Sequence, residues 1–356
     1  MYSFPLAATA GLVTFLLAGT ALGGRNDPPE PDNVPNRPAH HLEKGFTNPG
    51  YGAKHDVPFS VAIPFFLRRA MTSTWLAERG APPELAQNDG AFLRENALGS
   101  VPTLTWVGHS TLLVQMGHTT FLTDPIWSRT ASPLPVGPRR YVEPGIEFED
   151  LPDIDFVVVS HNHYDHMDLA TLRALDERGT RFFVPLGNRA ILEEAGIGQV
   201  EEIDWWQSRR VGGVEVYCVP ARHWSRRGLF DMNRALWSGW VVVAEDRRFY
   251  FAGDTGTFDG FKTIGERLGP IDLAAVPIGA YLPQEMMEPS HLNPEQALEA
   301  AVALGARRSV AIHFGTFDLS DEALDEPPHR FREASMRAGR GPDVDWLLRV
   351  GETRRW

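Results

Sequence analysis

Apolar positions fall along this chain in three patterns. The first is an uncharged run from Phe4 to Leu22, FPLAATAGLVTFLLAGTAL, ending in small residues. It predicts an export signal with a cleavage point after Ala21 or Gly23, or, being nearly long enough to span a bilayer, an uncleaved anchor. Residues 1–24 are therefore expected to place the protein outside the cytoplasm, either periplasmic or secreted, or held to a membrane by the N-terminus. The second pattern covers residues 25–44, rich in Pro, Asn and Asp, which cannot bury enough apolar surface to fold alone and reads as a flexible linker. Residues 45–356 then form one domain with an N-terminal extension. In that extension Phe59 to Glu78 reads as a helix with Pro64 near its start. Its Phe65, Phe66 and Trp75 are expected to pack on the core, with a lipid-facing role as the alternative.

The third pattern begins after Val101, where short apolar and β-branched runs alternate with turn residues. LTWVGHSTLLVQM, TTFLTDP and DFVVVSH have strand character, as do FFVP, VEVYCVP, WSGWVVVAE, RRFYFAGD and LAAVPIG. Two helices interrupt them. LATLRALDERG has Asp168 as a natural N-cap, with Leu169, Leu172 and Leu175 on one face. PEQALEAAVALG carries Pro294 in its first turn, and the strand RRSVAIHFG follows it and ends at a histidine. Strands with helices spread between them predict a layered α/β architecture, helices outside two packed sheets.

Composition narrows the function classes. Of the 356 residues, 43% are hydrophobic and 22% charged, as in a globular protein with a sizeable core. A formal net charge of -12 argues against nonspecific binding to nucleic acid or to an anionic membrane surface, since both need a basic face. It does not exclude a phosphate-bearing substrate, because a bound metal can dominate the local field. The single cysteine, Cys218, rules out an intramolecular disulfide and a thiolate metal cage.

The chemistry concentrates in VVVSHNHYDHMD, residues 157 to 168. His161, His163, Asp165 and His166 lie within six positions, directly after a buried strand. His161 and His163, two apart, point the same way if the extended conformation continues. Imidazole nitrogen and carboxylate oxygen suit zinc where thiolate is lacking. Three further candidates each end an apolar run: His223 in VYCVPARHWS, Asp254 in FYFAGDTG and His313 in RRSVAIHFGTF. Together they complete two coordination sets.

The order H-x-H-x-D-H, then His, then Gly-Asp, then His resembles the metallo-β-lactamase superfamily. The flanking segments TWVGHST, LTDPIWS, GPRR, DWW, LWSGWVV, FAGDTG and AIHFGTF resemble its N-acyl-phosphatidylethanolamine-hydrolysing phospholipase D branch, from about Asn48 to near the C-terminus. The resemblance implies a four-layer αββα sandwich. It implies that His161, His163 and His223 hold one zinc ion, that Asp165, His166 and His313 hold a second, and that Asp254 bridges them. Iron or manganese could use the same ligands. The implied reaction is hydrolysis of an N-acyl-phosphatidylethanolamine-like lipid to phosphatidic acid and an N-acylethanolamine by a metal-bridging hydroxide. Asp165 would also orient the hydroxide or shuttle its proton, and His291 would contact the substrate or donate a proton.

Other residues are candidates of second rank. Arg139 and Arg140 could clamp a phosphate, against the alternative of a solvated pair. His109 lies near the metal face in this family, and a structural hydrogen bond between strands explains it as well. Asp124 is expected to fix a ligand histidine through its ring N–H. Trp224 is a candidate pocket wall, whereas Trp205 and Trp206 are more simply core. The partner expected is a phospholipid or another small phosphodiester, with contact to a membrane surface. The rival readings are a lactonase or small-molecule phosphodiesterase on the same fold, and a non-catalytic metal-binding scaffold.

Overall fold

The computed structural model describes residues 37–51, 60–61, 63–65, 67, 79–99, 101–133 and 137–356. The apolar run Phe4 to Leu22, most of the linker, and Phe66 and Trp75 lie outside the described residues. Phe65 lies within them and is buried. Among the described residues no helix is long and apolar enough to cross a membrane.

A short antiparallel pair, β1 (His41–Leu42) and β2 (Gly45–Phe46), precedes the body of the fold. The first large sheet is built from β3 (Thr103–Gly108), β4 (Thr111–Met116), β5 (Thr119–Thr123), β6 (Phe156–Val158), β7 (Arg181–Pro185) and β8 (Val200–Ile203). The second uses β9 (Ser208–Val211), β10 (Val214–Val219), β11 (Gly239–Val243), β12 (Arg248–Phe251), β13 (Leu273–Pro277), β14 (Arg308–Ile312) and β15 (Asp345–Trp346). The last strand, β16 (Thr353–Arg355), returns to the first sheet beside β3, so each sheet has seven strands. In both, hairpin-linked antiparallel strands give way to parallel ones, from β5 to β8 in the first and from β12 to β15 in the second.

The period-2 pattern explains the layering. In the first sheet Leu112, Val114, Phe121, Phe156 and Phe183 point toward the second sheet, joining Val216, Trp240 and Phe249 in one core. Their neighbours Leu113, Leu122, Val157, Phe182 and Val184 point the other way. They are covered by helix α2 (Leu169–Asp176), whose Leu172 and Leu175 are fully buried there; α1 (Ala91–Gly99) contributes Leu93 to the same cluster. Strands apolar on both faces must be covered on both. Across the second sheet the cover is α6 (Pro294–Ala303), whose Ala297, Leu298 and Ala301 join the main core, with α7 (Glu326–Arg337) against it. Helices α3 (Arg189–Glu194), α4 (Gly260–Leu268) and α5 (Gln284–Met287) fill connections. The result is the helix–sheet–sheet–helix sandwich.

The caps follow local chemistry. Asp168 accepts the Ala170 N–H at the start of α2. Asn293 and Gln296 form a reciprocal capping box on α6, so Asn293, and not His291, caps that helix.

Residues 37–44, the end of the expected linker, lie within the described residues. His40 and His41 place their Nε2 atoms 2.7 and 2.9 Å from the two carboxylate oxygens of Asp204, and the His40 ring stacks on Trp205 at 4.3 Å. An ion-paired, aromatic-stacked dipeptide holds this stretch to the domain despite its polar composition. The partner lies 164 positions away, so no local pattern announces it.

Candidate metal centre

The candidate ligands sit where strands end along one rim shared by both sheets. After β6, Val159 and Ser160 lead into His161; the chain then turns, with the His166 and Met167 N–H groups donating to the His163 carbonyl, and enters α2. His223 follows β10, Asp254 follows β12 and His313 follows β14. The turn carrying Asp254 depends on Gly253. Its φ is +59°, and a Cβ there would stand 2.4 Å from the Ser160 Cβ, so a side chain would separate the two ligand loops.

These side chains converge. Donor atoms of His161, His163 and His223 lie within 4.8 Å of one another, as do those of His109, Asp165, His166 and His313. Asp254 stands between the groups: its Oδ2 is 3.2 Å from His166 Nε2 and 4.0 Å from His223 Nε2, and its Oδ1 is 3.2 Å from His313 Nε2. The Asp165 Oδ2 is 3.2 Å from His166 Nε2 and 3.5 Å from His313 Nε2. His291 brings its Nδ1 to 3.8 Å from Asp254 Oδ2.

A framework of hydrogen bonds orients the rings. Asp124 is fully buried: Oδ1 accepts the Ser160 N–H, while Oδ2 accepts the Ser160 hydroxyl and lies 2.6 Å from His166 Nδ1. The Ser160 Oγ is also 2.9 Å from His161 Nδ1. The Ser290 carbonyl is 3.0 Å from His223 Nδ1, and Asn48 donates to the His223 carbonyl. In each of these three histidines Nδ1 is engaged outward, which leaves Nε2 for the centre. The Trp224 ring meets the His163 ring edge-on at 4.3 Å.

Backbone strain gathers at the same place. His109, Asp124 and His313 have φ of 53°, 36° and 58°, in the left-handed region that non-glycine residues seldom occupy. The His313 N–H donates to the His109 carbonyl, and His109 Nε2 lies 3.0 Å from Asp165 Oδ2. The interaction of His109 is thus with a carboxylate of the cluster.

Electrostatics divide the histidines. Burial, followed by neighbouring imidazoles, holds His161 well below the ordinary range, and burial takes His163 down to about 3. For His166 burial acts in the same sense but is outweighed by the Asp254 and Asp165 carboxylates, so it stands well above its ordinary value; His313 likewise reaches about 9. Asp165 and Asp254 stay well below the carboxylate range, since His166 and its neighbours overcome the opposing effect of burial. The two carboxylates are thus balanced by protons on His166 and His313, the positive charge that a bound metal ion would supply in their place.

The donor set fits metal. The Nε2 atoms of His166 and His313, the Nδ1 atom of His291 and the Oδ1 atom of Asp254 are buried and make no hydrogen bond among the described residues, and His163 turns Nδ1 toward the His161 and His223 Nε2 atoms. Buried polar atoms left in this way cost on the order of 1–3 kcal/mol each, and cation coordination satisfies them. Every donor is nitrogen or oxygen, the set that zinc, iron and manganese accept.

The arginine pair takes a form different from a two-residue phosphate clamp. Arg140 spends its guanidinium on the backbone carbonyls of Ile126, Ser128 and Val142, and stands 5.1 Å from the Phe317 ring. Three loop carbonyls needing a buried donor hold it there, and it is not available for bidentate contact with substrate. Arg139 is exposed. Trp205 is buried and donates to the Trp237 carbonyl, and Trp206 carries Arg267 over its ring. Sequence reasoning passed over Ser160 and Asn48. Ser160 was detectable only as the small polar residue preceding His161, and Asn48 only as part of FTNP.

The family model described as Beta-lactamase superfamily domain matches residues 119–314. The N-acyl-phosphatidylethanolamine-hydrolyzing phospholipase D 1 of Caenorhabditis elegans is 44% identical over 243 residues, 64% of this chain and 68% of that protein. The mitochondrial N-acyl-phosphatidylethanolamine-hydrolyzing phospholipase D of Saccharomyces cerevisiae is 35% identical over 64% of this chain, and the match spans half of that relative. A metal-dependent hydrolase of Nitratidesulfovibrio vulgaris is 32% identical over 67% of this chain and 89% of its own length. Among solved structures, the metallo hydrolase Igni18 of Ignicoccus hospitalis superposes with a TM-score of 0.56 at 25% identity, covering 72% of this chain and 98% of that one. The chain belongs to the metallo-β-lactamase superfamily and is a metal-dependent hydrolase.

Proposed function

We propose that this hydrolase is a dinuclear zinc phosphodiesterase that cleaves N-acyl-phosphatidylethanolamine-like lipids to phosphatidic acid and an N-acylethanolamine. The observation that carries the reading is the placing of Asp254 between two donor groups, its Oδ2 3.2 Å from His166 Nε2 in one and 4.0 Å from His223 Nε2 in the other. His161, His163 and His223 would hold one ion, Asp165, His166 and His313 the other, with Asp254 shared. Two zinc ions bound there would supply a hydroxide at neutral pH and neutralise charge on phosphate oxygens. The identity to the nematode and yeast phospholipases supports the choice of a lipid phosphodiester.

The chain's own groups divide the remaining work. The side chains of Asp165 and His291 are 14% and 15% exposed, whereas those of His166, His223, Asp254 and His313 are at most 2% exposed. A substrate entering the centre therefore meets Asp165 and His291 before the deeper donors. Held by His109 at Oδ2, Asp165 can orient the attacking group, and His291, which burial takes down to about 4, can hydrogen-bond the leaving oxygen as a neutral imidazole. Trp224 forms a wall beside His163.

The test is hydrolysis by purified protein of N-acyl-phosphatidylethanolamine, a lactone panel and bis-(nitrophenyl) phosphate, with metal content measured in parallel. Release of phosphatidic acid is the expected result. Activity on lactones alone would reject the lipid reading, and fewer than two metal equivalents with no hydrolysis after zinc supplementation would favour a scaffold.

A further inference from the structure

We propose that the loop from Trp224 to Arg234 is a docking element that seats the metal centre against a phospholipid surface bearing anionic headgroups. The proposal rests on the lipid reading above and names the surface through which the substrate would be reached.

Leu229, Phe230 and Met232 are 43%, 83% and 46% exposed, three large apolar side chains within four positions. Val302 and Met336, by contrast, stand singly on separate helices, which is ordinary for a protein surface. The triplet is held outward by a closed polar framework. Asp231 accepts the Gly228 N–H at 2.8 Å and the Arg227 N–H at 3.1 Å, and Ser225 and Asn233 are bonded across the base of the loop. A loop fixed by its own hydrogen bonds has no structural need to present a phenyl ring to water.

The base of the loop belongs to the centre. Trp224 contacts His163, and the Arg227 guanidinium donates to the carbonyls of Asn162, within the ligand run, and Met167, just after it. The Tyr164 hydroxyl donates back to the Arg227 carbonyl. Whatever the tip touches is brought beside the donor cluster.

Charge identifies the partner. Arg234 is exposed and Arg226 half-buried in the loop, whereas Arg227 is held inward by the Asn162 and Met167 carbonyls. Against its three arginines the loop carries one acidic residue, Asp231, whose carboxylate is bonded to the Gly228 N–H. In a chain of net charge -12, this is a basic patch around an apolar tip. Apolar side chains entering the acyl boundary, with cations at headgroup level, is the pattern of interfacial attachment to anionic lipid.

The sole cysteine makes the test site-specific. Cys218 is fully buried, so Phe230→Cys in the full chain offers one accessible thiol for an environment-sensitive fluorophore. Leu98→Cys, at a position 89% exposed on α1, is the control. On vesicles of phosphatidylcholine with phosphatidylglycerol, emission from position 230 is expected to rise several-fold and shift to the blue, with position 98 silent and pure phosphatidylcholine giving less. No response at position 230, an equal response at 98, or no preference for anionic vesicles would overturn the proposal. Because the readout needs no turnover, failure of docking and failure of lipid hydrolysis are separately visible.

Discussion

Asp124 and His166 form a buried pair, Oδ2 to Nδ1 at 2.6 Å, with both side chains wholly excluded from solvent. The pair fixes which imidazole nitrogen reaches the centre: with Nδ1 occupied, Nε2 faces Asp165 and Asp254, 3.2 Å from each. Asp124 also takes both donors of Ser160, which in turn touches His161. One carboxylate thereby orients a histidine in each donor group.

Replacing Asp124 should loosen both groups without touching either coordination set. For Asp124→Asn, zinc affinity should fall by about 10- to 100-fold, the usual cost of losing an outer partner. Competition with a chromophoric chelator measures this. Unchanged affinity would show that the pair is merely structural.

Asp254 has contacts on both sides of the cluster, so its loss should be felt on both. Asp254→Ala is expected to abolish turnover and to lower bound metal, read by elemental analysis of the purified full chain. A variant retaining two equivalents would exclude the shared-ligand assignment.

His109 offers a subtler test, since its 3.0 Å contact aims Asp165 without entering either proposed donor set. His109→Ala should lower kcat by roughly 100-fold, the scale expected when a reacting group is misplaced by about 1 Å. KM should change little. A variant with raised KM and intact kcat would instead make His109 a binding contact.

Arg139 and Arg140, adjacent in sequence, should part company in experiment. Arg140→Ala strands three loop carbonyls and should destabilise by about 2–4 kcal/mol, seen in chemical denaturation. Arg139→Ala should leave stability unchanged and raise KM only if this exposed guanidinium meets the phosphate. Equal stability losses would contradict the division.

The clasp of His40 and His41 on Asp204 predicts a pH dependence. Burial works against the Asp204 carboxylate, but His40 and then His41 overcome it and hold its folded pKa below the ordinary value. A depressed folded pKa means the contribution is fully present above the unfolded value, about 3.9, and is lost as pH falls through the lower folded one. The stability gap between the wild type and Asp204→Asn should therefore be widest near neutrality and close below about pH 4. A gap constant across that window would show that the clasp acts by packing alone.

The sequence by itself determined what depends on short range. Unbroken apolar runs dictate strands buried on both faces, as in Leu112 to Val114 and Phe121 to Leu122. Asp168 starts α2 through its own side chain. Four metal-binding residues between His161 and His166 need no distant contact to be noticed, because their density is local.

Tertiary structure decided what depends on the meeting of remote segments. Only packing of the two sheets sets Asp254 beside both His166 and His313, brings Asp124 to His166, and ties Asp204 to His40. Only the folded loops show that Arg140 is spent on carbonyls while Phe230 is left in water. An arginine or a phenylalanine has the same intrinsic chemistry in either place. Its role is set by which donors, acceptors and apolar surfaces the fold brings within a few ångströms, and these come from distant parts of the chain.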